Sequence, residues 1–292
     1  MAAGYPTVTP PDLGGRTMLL TGASSGIGLE AAVKLAAAGA EMVLVARDST
    51  KAAATLEEVR RRSGSERVST LCCDFASPAA IRGLAAAFNA RHRRLDVLIN
   101  NAGTVNPTRR LTDGGVELTF AVNHLGYFLL TELLLDVLAR SGPARIVSVA
   151  SVAHFDGRLD LDDLSYQRGG YSLLRAYARS KLANVLHTRE LARRLAGTAV
   201  TANCLHPGPA ASHIWTKASW WARPLLAVAG PFFMIPPAVG ADRIVHLAAS
   251  PAVATASGGY YDRDALVEPA AAARDEDTAR RLWDASAALV AS

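Results

Sequence analysis

Tyr177 and Lys181 stand four apart in Tyr177-Ala178-Arg179-Ser180-Lys181, inside a pattern that predicts a helix from Tyr171 to Leu195. Four helical residues bring two side chains back to nearly the same face, about one turn apart. The spacing therefore sets a phenol beside an ammonium. A free tyrosine titrates near ~10 and moves protons poorly at neutral pH. Bringing it to about 7 takes ~4 kcal/mol of differential stabilisation of the phenolate. One cation at about 4 Å supplies roughly that much at an effective dielectric of ~20. Such a tyrosine is a candidate general acid or base. Alone the pair is a weak signal, because Tyr-x-x-x-Lys arises often by chance, as a half-buried aromatic beside a solvated lysine.

A second constellation stands near the start of the chain, in Thr21-Gly22-Ala23-Ser24-Ser25-Gly26-Ile27-Gly28. It follows the first apolar strand and opens the first predicted helix. A glycine-rich turn lets backbone approach a pyrophosphate, and the helix N-terminus then presents free N–H groups and partial positive charge. The spacing is Gly-x-x-x-Gly-x-Gly rather than the commoner Gly-x-Gly-x-x-Gly, but the strand-to-helix context supports the reading. A nucleotide site that reads a bare adenosine ribose usually has an acidic residue at the end of the second strand. Here Ala46 takes that place and Arg47 follows it. A guanidinium suits a 2′-phosphate, and Ser24 or Ser25 adds a hydroxyl. The expectation is NADP(H); Asp48 nearby leaves the unphosphorylated cofactor as the alternative.

The elements that must position these residues alternate along the chain. Strands are predicted at Thr17–Thr21, Glu41–Ala46, Val68–Cys73, Leu95–Asn100, Ala144–Val149, Thr198–Leu205 and Gly258–Tyr261. Helices are predicted at Gly26–Ala38, Ser49–Arg62, Pro78–Arg91, Ala238–Ala249 and Glu276–Leu289, with a long helical stretch between the fourth and fifth strands. Apolar strands alternating with such helices imply an α/β, Rossmann-type, doubly wound fold: a seven-stranded parallel sheet with helices on both faces. Residues 1–14 read as a flexible arm, and 15–292 as a single dinucleotide-binding catalytic domain.

Half of the 292 residues are hydrophobic, enough for one large core. The net charge is +5, but the arginine runs lie near predicted helix ends and lack interleaved aromatics, so no nucleic-acid partner is expected. The three cysteines have neither disulfide nor metal-ligand spacing. Cys72 and Cys73 read as small buried residues facing opposite sides of a strand. No metal site is expected. No cationic start followed by an apolar run precedes the first strand, and the expected setting is cytoplasmic.

With these residues assembled, the chain resembles the short-chain dehydrogenase/reductase family from about Gly15 to its C-terminus. The motifs are Thr-Gly-x-x-x-Gly-x-Gly at 21–28, Asp74 after the third strand, Asn100-Asn101-Ala102-Gly103 after the fourth, and Asn123 in Val122-Asn123-His124-Leu125-Gly126. Ser151 follows the fifth strand, then Tyr177 and Lys181, and Pro207-Gly208 closes the sixth. Within the family it is most similar to retinol-dehydrogenase-like members, through Asn123 to Phe128, Ser151-Val152-Ala153-His154 and Tyr177 to Asn184. The resemblance implies hydride transfer between a nicotinamide and a carbonyl or alcohol. Tyr177 is then the proton donor, Ser151 steadies the substrate oxygen, Lys181 lowers the tyrosine pKa, and Asn123 positions a water that relays protons. Asp74 and Phe75 would hold the adenine, and Asn101, Ala102 and Gly103 would line the cofactor cleft. Pro207, Gly208 and Ser212 would meet the nicotinamide, Ser212 standing where the family often has threonine. Ala150 replaces a serine usual in this branch. The family often assembles through the helices that carry Asn123 and Tyr177, which leaves a homo-oligomer open. A non-catalytic scaffold on this fold would be expected to lose Ser151, Tyr177 or Lys181, and none is lost.

The segment 213–237 carries Trp215, Trp220, Trp221, Phe232 and Phe233, and it reads as an apolar lid. Such a lid implies a bulky hydrophobic substrate, with Trp215 and His154 as contacts beside Ser151 and Tyr177. The stretch lacks charge from Pro224 to Ala241, but its four prolines break any membrane span. Weak contact with a membrane surface is the most that the segment supports.

Overall fold

The computed structural model describes residues 9–208 and 235–291. Its centre is β1 (Thr17–Thr21), a strand too apolar for one covered face and buried at every position. The strands flanking it are β2 (Glu41–Ala46) and β4 (Val97–Asn100), with β3 (Val68–Cys72) beyond β2 at the edge. On the other side follow β5 (Ala144–Val149), β6 (Val200–His206), β7 (Tyr260–Asp262) and β8 (Ala265–Val267). The order is β3-β2-β1-β4-β5-β6-β7-β8, parallel from β3 to β7. The chain winds outward from β1 to β3, then crosses back to β4. The crevice between β1 and β4 is the switch point where such sheets bind ligands.

The eighth strand departs from the predicted seven. It runs antiparallel to β7, with Tyr261 opposite Leu266. The turn between them carries Arg263 at φ 58°, a left-handed position with neither glycine nor asparagine to announce it. Predicted and observed boundaries otherwise differ by at most about two residues, the ordinary spread at element ends.

Helices cover both faces. One face receives α1 (Gly26–Ala37), α2 (Ser49–Ser63) and a helix before β7, α7 (Pro237–Ala249). The other receives α3 (Pro78–Arg91), a short α4 (Leu118–Phe120), α5 (Gly126–Arg140), α6 (Leu173–Arg194) and the C-terminal α8 (Glu276–Ala291). Between α4 and α5 the helix widens into a π turn, Ala121–Leu125, closed by the Gly126 N–H to the Ala121 carbonyl. Wide turns of this kind recur at functional sites, and this one carries Asn123. The stretch Leu118–Arg140 is long and apolar enough to cross a membrane, but 72% of its apolar window is buried inside the fold, as in a core helix.

Two expectations need correction. The end of the expected arm is anchored: Leu13 is buried, and its N–H donates to the Ala38 carbonyl at 2.8 Å. Cys73 is buried but Cys72 is exposed, at the end of an edge strand that is only partly covered. Residues 1–8, Ser212, Trp215 and most of the lid at 213–237 lie outside the described residues.

Candidate active site

The first wall of the site is the turn after β1. Gly22 (φ 69°) and Gly26 (φ 57°) adopt left-handed backbone that favours glycine. Close packing adds to that demand, since a Cβ on Gly22 would fall 2.7 Å from the Ala102 Cα, and one on Gly28 would fall 2.3 Å from the Gly22 carbonyl oxygen. Thr21 fastens this turn to the end of β4. Its hydroxyl accepts from the N–H groups of Asn101 (2.9 Å) and Ala102 (3.0 Å). The Asn101 amide returns bonds to the carbonyls of Thr21 (2.9 Å) and Gly22 (3.1 Å). Asn101 therefore shapes the loop with its side chain rather than reserving it for a ligand. The N-terminus of α1 opens on the same space, and the Ser25 side chain makes no capping bond there. Uncapped N–H groups at a helix start attract an anion. The turn fits a pyrophosphate.

A cleft of about 1110 Å³ runs from this turn along the C-terminal ends of the strands. Gly22, Ser24, Ser25, Gly26, Ile27, Gly28, Arg47, Asp74, Phe75, Asn101, Ala102, Gly103, Ser151, Tyr177, Lys181, Pro207 and Gly208 all line it. Lys51 and His206 line it too. Lys51 has no motif to reveal it. Asp48 caps α2 by accepting from the Lys51 N–H at 2.9 Å, which places Lys51 in the first turn, close to Arg47. That backbone bond holds the Asp48 carboxyl below its ordinary range.

At the far end Ser151 and Tyr177 meet. Ser151 leaves β5 as the N-cap of a short 3₁₀ turn, accepting from the Ala153 N–H. Tyr177 and Ser151 both line the cleft there, and the serine hydroxyl favours the charged form of the tyrosine. Lys181 lies beneath, buried, its ammonium donating to the Val149 carbonyl at 2.8 Å. It stands 5.6 Å from the centre of the Tyr177 ring and 5.9 Å from that of Tyr127. Burial pulls Lys181 down to about 7. Burial also pushes Tyr177 up, and the Ser151 hydrogen bond partly offsets it. Desolvation, rather than the Lys181 charge, is the largest influence on Tyr177. The desolvated amine is itself near half-neutral and is turned toward a carbonyl.

Asn123 is fully buried and does not line the cleft. Its amide donates to the Thr104 carbonyl and the Ser180 hydroxyl, both at 3.0 Å, and its oxygen accepts from the Thr104 N–H at 2.8 Å. Both donors are spent on scaffold, so the side chain fixes the loop after β4 against α6 rather than facing a ligand. His154 also requires correction as a substrate contact. It is fully buried behind Ser151, with Nδ1 on the Ser151 carbonyl and Nε2 on the Ala270 N–H, and does not reach the cleft. His206 lines the cleft instead, lowered to about 4 by burial. His124 is bonded to Ser286 inside the fold. Among the described residues no group of acidic, histidine or cysteine side chains could hold a metal ion.

A phosphate-fitted turn at the switch point, in one cleft with a serine, a tyrosine and a buried lysine, defines a dinucleotide-binding oxidoreductase of alcohols and carbonyl compounds. The sequence pattern of the short chain dehydrogenases matches residues 16–222. Human retinol dehydrogenase 13 is 42% identical over 283 residues, covering 94% of this chain and 85% of that protein. Human dehydrogenase/reductase SDR family member 13 is 42% identical, covering 95% and 74% respectively. Among solved structures, a putative uncharacterized protein from Mycobacterium paratuberculosis superposes with TM-score 0.80 at 31% identity, covering 98% of each chain. The Pseudomonas aeruginosa RhlG/NADP active-site complex superposes with TM-score 0.70 at 30% identity, covering 87% of this chain and 96% of that one. The chain belongs to the short-chain dehydrogenase/reductase family, in its retinol-dehydrogenase-like branch.

Proposed function

We propose that the protein is an NADP(H)-dependent oxidoreductase that interconverts the carbonyl and alcohol of a bulky hydrophobic substrate. The observation that carries the reading is that Ser151, Tyr177 and Lys181 line one cleft with a phosphate-fitted turn. Bound NADP(H) supplies or accepts the hydride. In the reductive direction Tyr177 donates its proton to the substrate oxygen, and Ser151 donates a hydrogen bond to the same atom. Lys181, balanced between its charged and neutral forms, holds or releases a proton beneath the tyrosine. Asn123 and Thr104 keep the intervening loop in register.

Preference for the phosphorylated cofactor rests on Arg47, Lys51 and Ser24 at one end of the cleft. Asp48, the one carboxylate near Arg47 in sequence, is engaged at the α2 N-terminus. The NADP named for the RhlG complex supports the same choice. Substrate class rests on the other end, where Val105, Leu111, Leu118, Val122, Val152 and Leu174 line the cleft. Leu111, Val152 and Leu174 are exposed there, 44%, 53% and 65% respectively, interleaved with Arg110, Asp113, Asp156 and Arg175. The names of the human relatives, retinol dehydrogenases 13 and 11, agree with an isoprenoid-sized apolar substrate.

The test follows the near-ultraviolet absorbance of the reduced nicotinamide with retinal and a panel of bulky and small carbonyls. Turnover of bulky apolar carbonyls, with a lower KM for NADPH than for NADH, is expected. An equal or lower KM for NADH would remove the cofactor assignment. Lack of turnover in either direction across the panel would leave a dinucleotide-binding scaffold.

A further inference from the structure

Two histidines flank the site without entering it, and both lead to the same part of the chain. His154 is fully buried three residues after Ser151. Its Nε2 is 3.1 Å from the Ala270 nitrogen, and its Nδ1 is 2.8 Å from the Ser151 carbonyl oxygen. A backbone N–H only donates, so Nε2 accepts and the ring proton is on Nδ1, donated to Ser151. One neutral imidazole thus bridges the Ser151 backbone to the segment between β8 and α8. Phe155 and Tyr260 pack on the ring, with centroids at 4.2 Å and 4.5 Å.

His124 ties the π turn that carries Asn123 to α8. Its Nε2 lies 2.8 Å from the Ser286 hydroxyl on α8, and both residues are fully buried. Trp283, one turn earlier on α8, meets Phe128 edge-on at 5.0 Å and stacks on His187 at 5.5 Å. The C-terminal helix is therefore keyed to the wide turn by a polar contact inside an aromatic one.

We infer that the C-terminal segment, from Ala270 through α8, is a positioning element for the hydride-transfer site, acting on Ser151 through His154 and on Asn123 through His124. The inference rests on the function proposed above. Neither histidine lines the cleft, so both act by holding the residue beside them. Small displacements matter at such a site, since a shift of about 1 Å costs up to ~10²-fold in rate.

The test uses the full-length chain with His154→Phe, His154→Gln, His124→Phe and Ser286→Ala. Two readouts are taken: kcat per NADPH-binding site, and backbone hydrogen exchange. Expected is a ~10–100-fold loss of kcat per site in His154→Phe, His124→Phe and Ser286→Ala, with the Kd for NADPH unchanged. His154→Gln keeps an acceptor and a donor on one amide and is expected to recover part of the loss. Exchange is expected to quicken over 148–153 in His154→Phe and over 118–126 in Ser286→Ala, while 21–28 stays as in wild type. Wild-type kcat per site, or quickened exchange confined to 268–291, would overturn the inference. Should wild type turn over no carbonyl, the functional reading fails, and exchange at 118–126 and 148–153 still decides whether the segment holds these residues.

Discussion

The two ends of the cleft are made differently. The nucleotide end is a backbone construction: glycines at positive φ, a helix start without a cap, and Thr21 and Asn101 stitching neighbouring strand ends. The reaction end is a side-chain construction. Ser151 comes from the end of β5, Tyr177 and Lys181 from α6, and Asn123 from the π turn. Burial there sets the protonation of each titratable group. A backbone site tolerates exchange of most side chains around it, whereas a desolvated side-chain site depends on single atoms.

Tyr177→Phe puts the largest strain on that contrast. Removing one oxygen is expected to lower kcat by ~10²–10⁴-fold, with cofactor binding retained, measured by turnover and by NADPH titration. A variant that keeps wild-type kcat would end the assignment of Tyr177 as the acid. Arg47→Ala comes next. Losing one charge-assisted contact is expected to weaken NADPH binding by ~10–100-fold and to leave NADH nearly unchanged, measured by titration with each. Equal weakening of both would mean that Arg47 shapes the loop rather than reading the 2′-phosphate.

Lys181→Met tests the protonation argument directly. Burial lowers Lys181 from 10.5 to about 7, so the unfolded chain binds more protons than the folded one between those values. Its contribution to stability therefore rises with pH across that window. In the cofactor-free protein, the stability of wild type relative to Lys181→Met should climb by up to ~1.4 kcal/mol per pH unit from pH ~7 to ~9, measured by denaturant unfolding. A flat difference would show that the amine keeps its charge in the fold.

The same contrast explains what the sequence made legible. Residues serving backbone geometry announce themselves, because few residue types adopt the left-handed region or permit so close an approach. Gly22, Gly26 and Gly28 were readable for that reason, and the doubly wound fold class followed from the alternation. The identity of Ser151, Tyr177 and Lys181 was readable from motif and spacing, but their electrostatics were not. The sequence puts a cation one turn from a phenol; only packing shows that the cation is desolvated and spent on Val149. His154 was misread because a histidine just after Ser151 is close in sequence to the chemistry. Its partner, Ala270, lies more than a hundred residues away and carries no side-chain signal. Lys51 carries no motif, and its place at the cleft follows from the position of the α2 N-terminus. The π turn left no trace, since one widened ring does not alter the apolar periodicity of a long helix.

The placement of α8 has one further consequence. Trp283 spans from Phe128 on α5 to His187 and Arg194 on α6, with the Arg194 guanidinium 4.1 Å above its ring. Part of the outward face of α6, which bears Tyr177 and Lys181, and the start of α5 are thus covered from within the same chain. A second copy that sought to lay its own helix pair on them would first have to lift that roof.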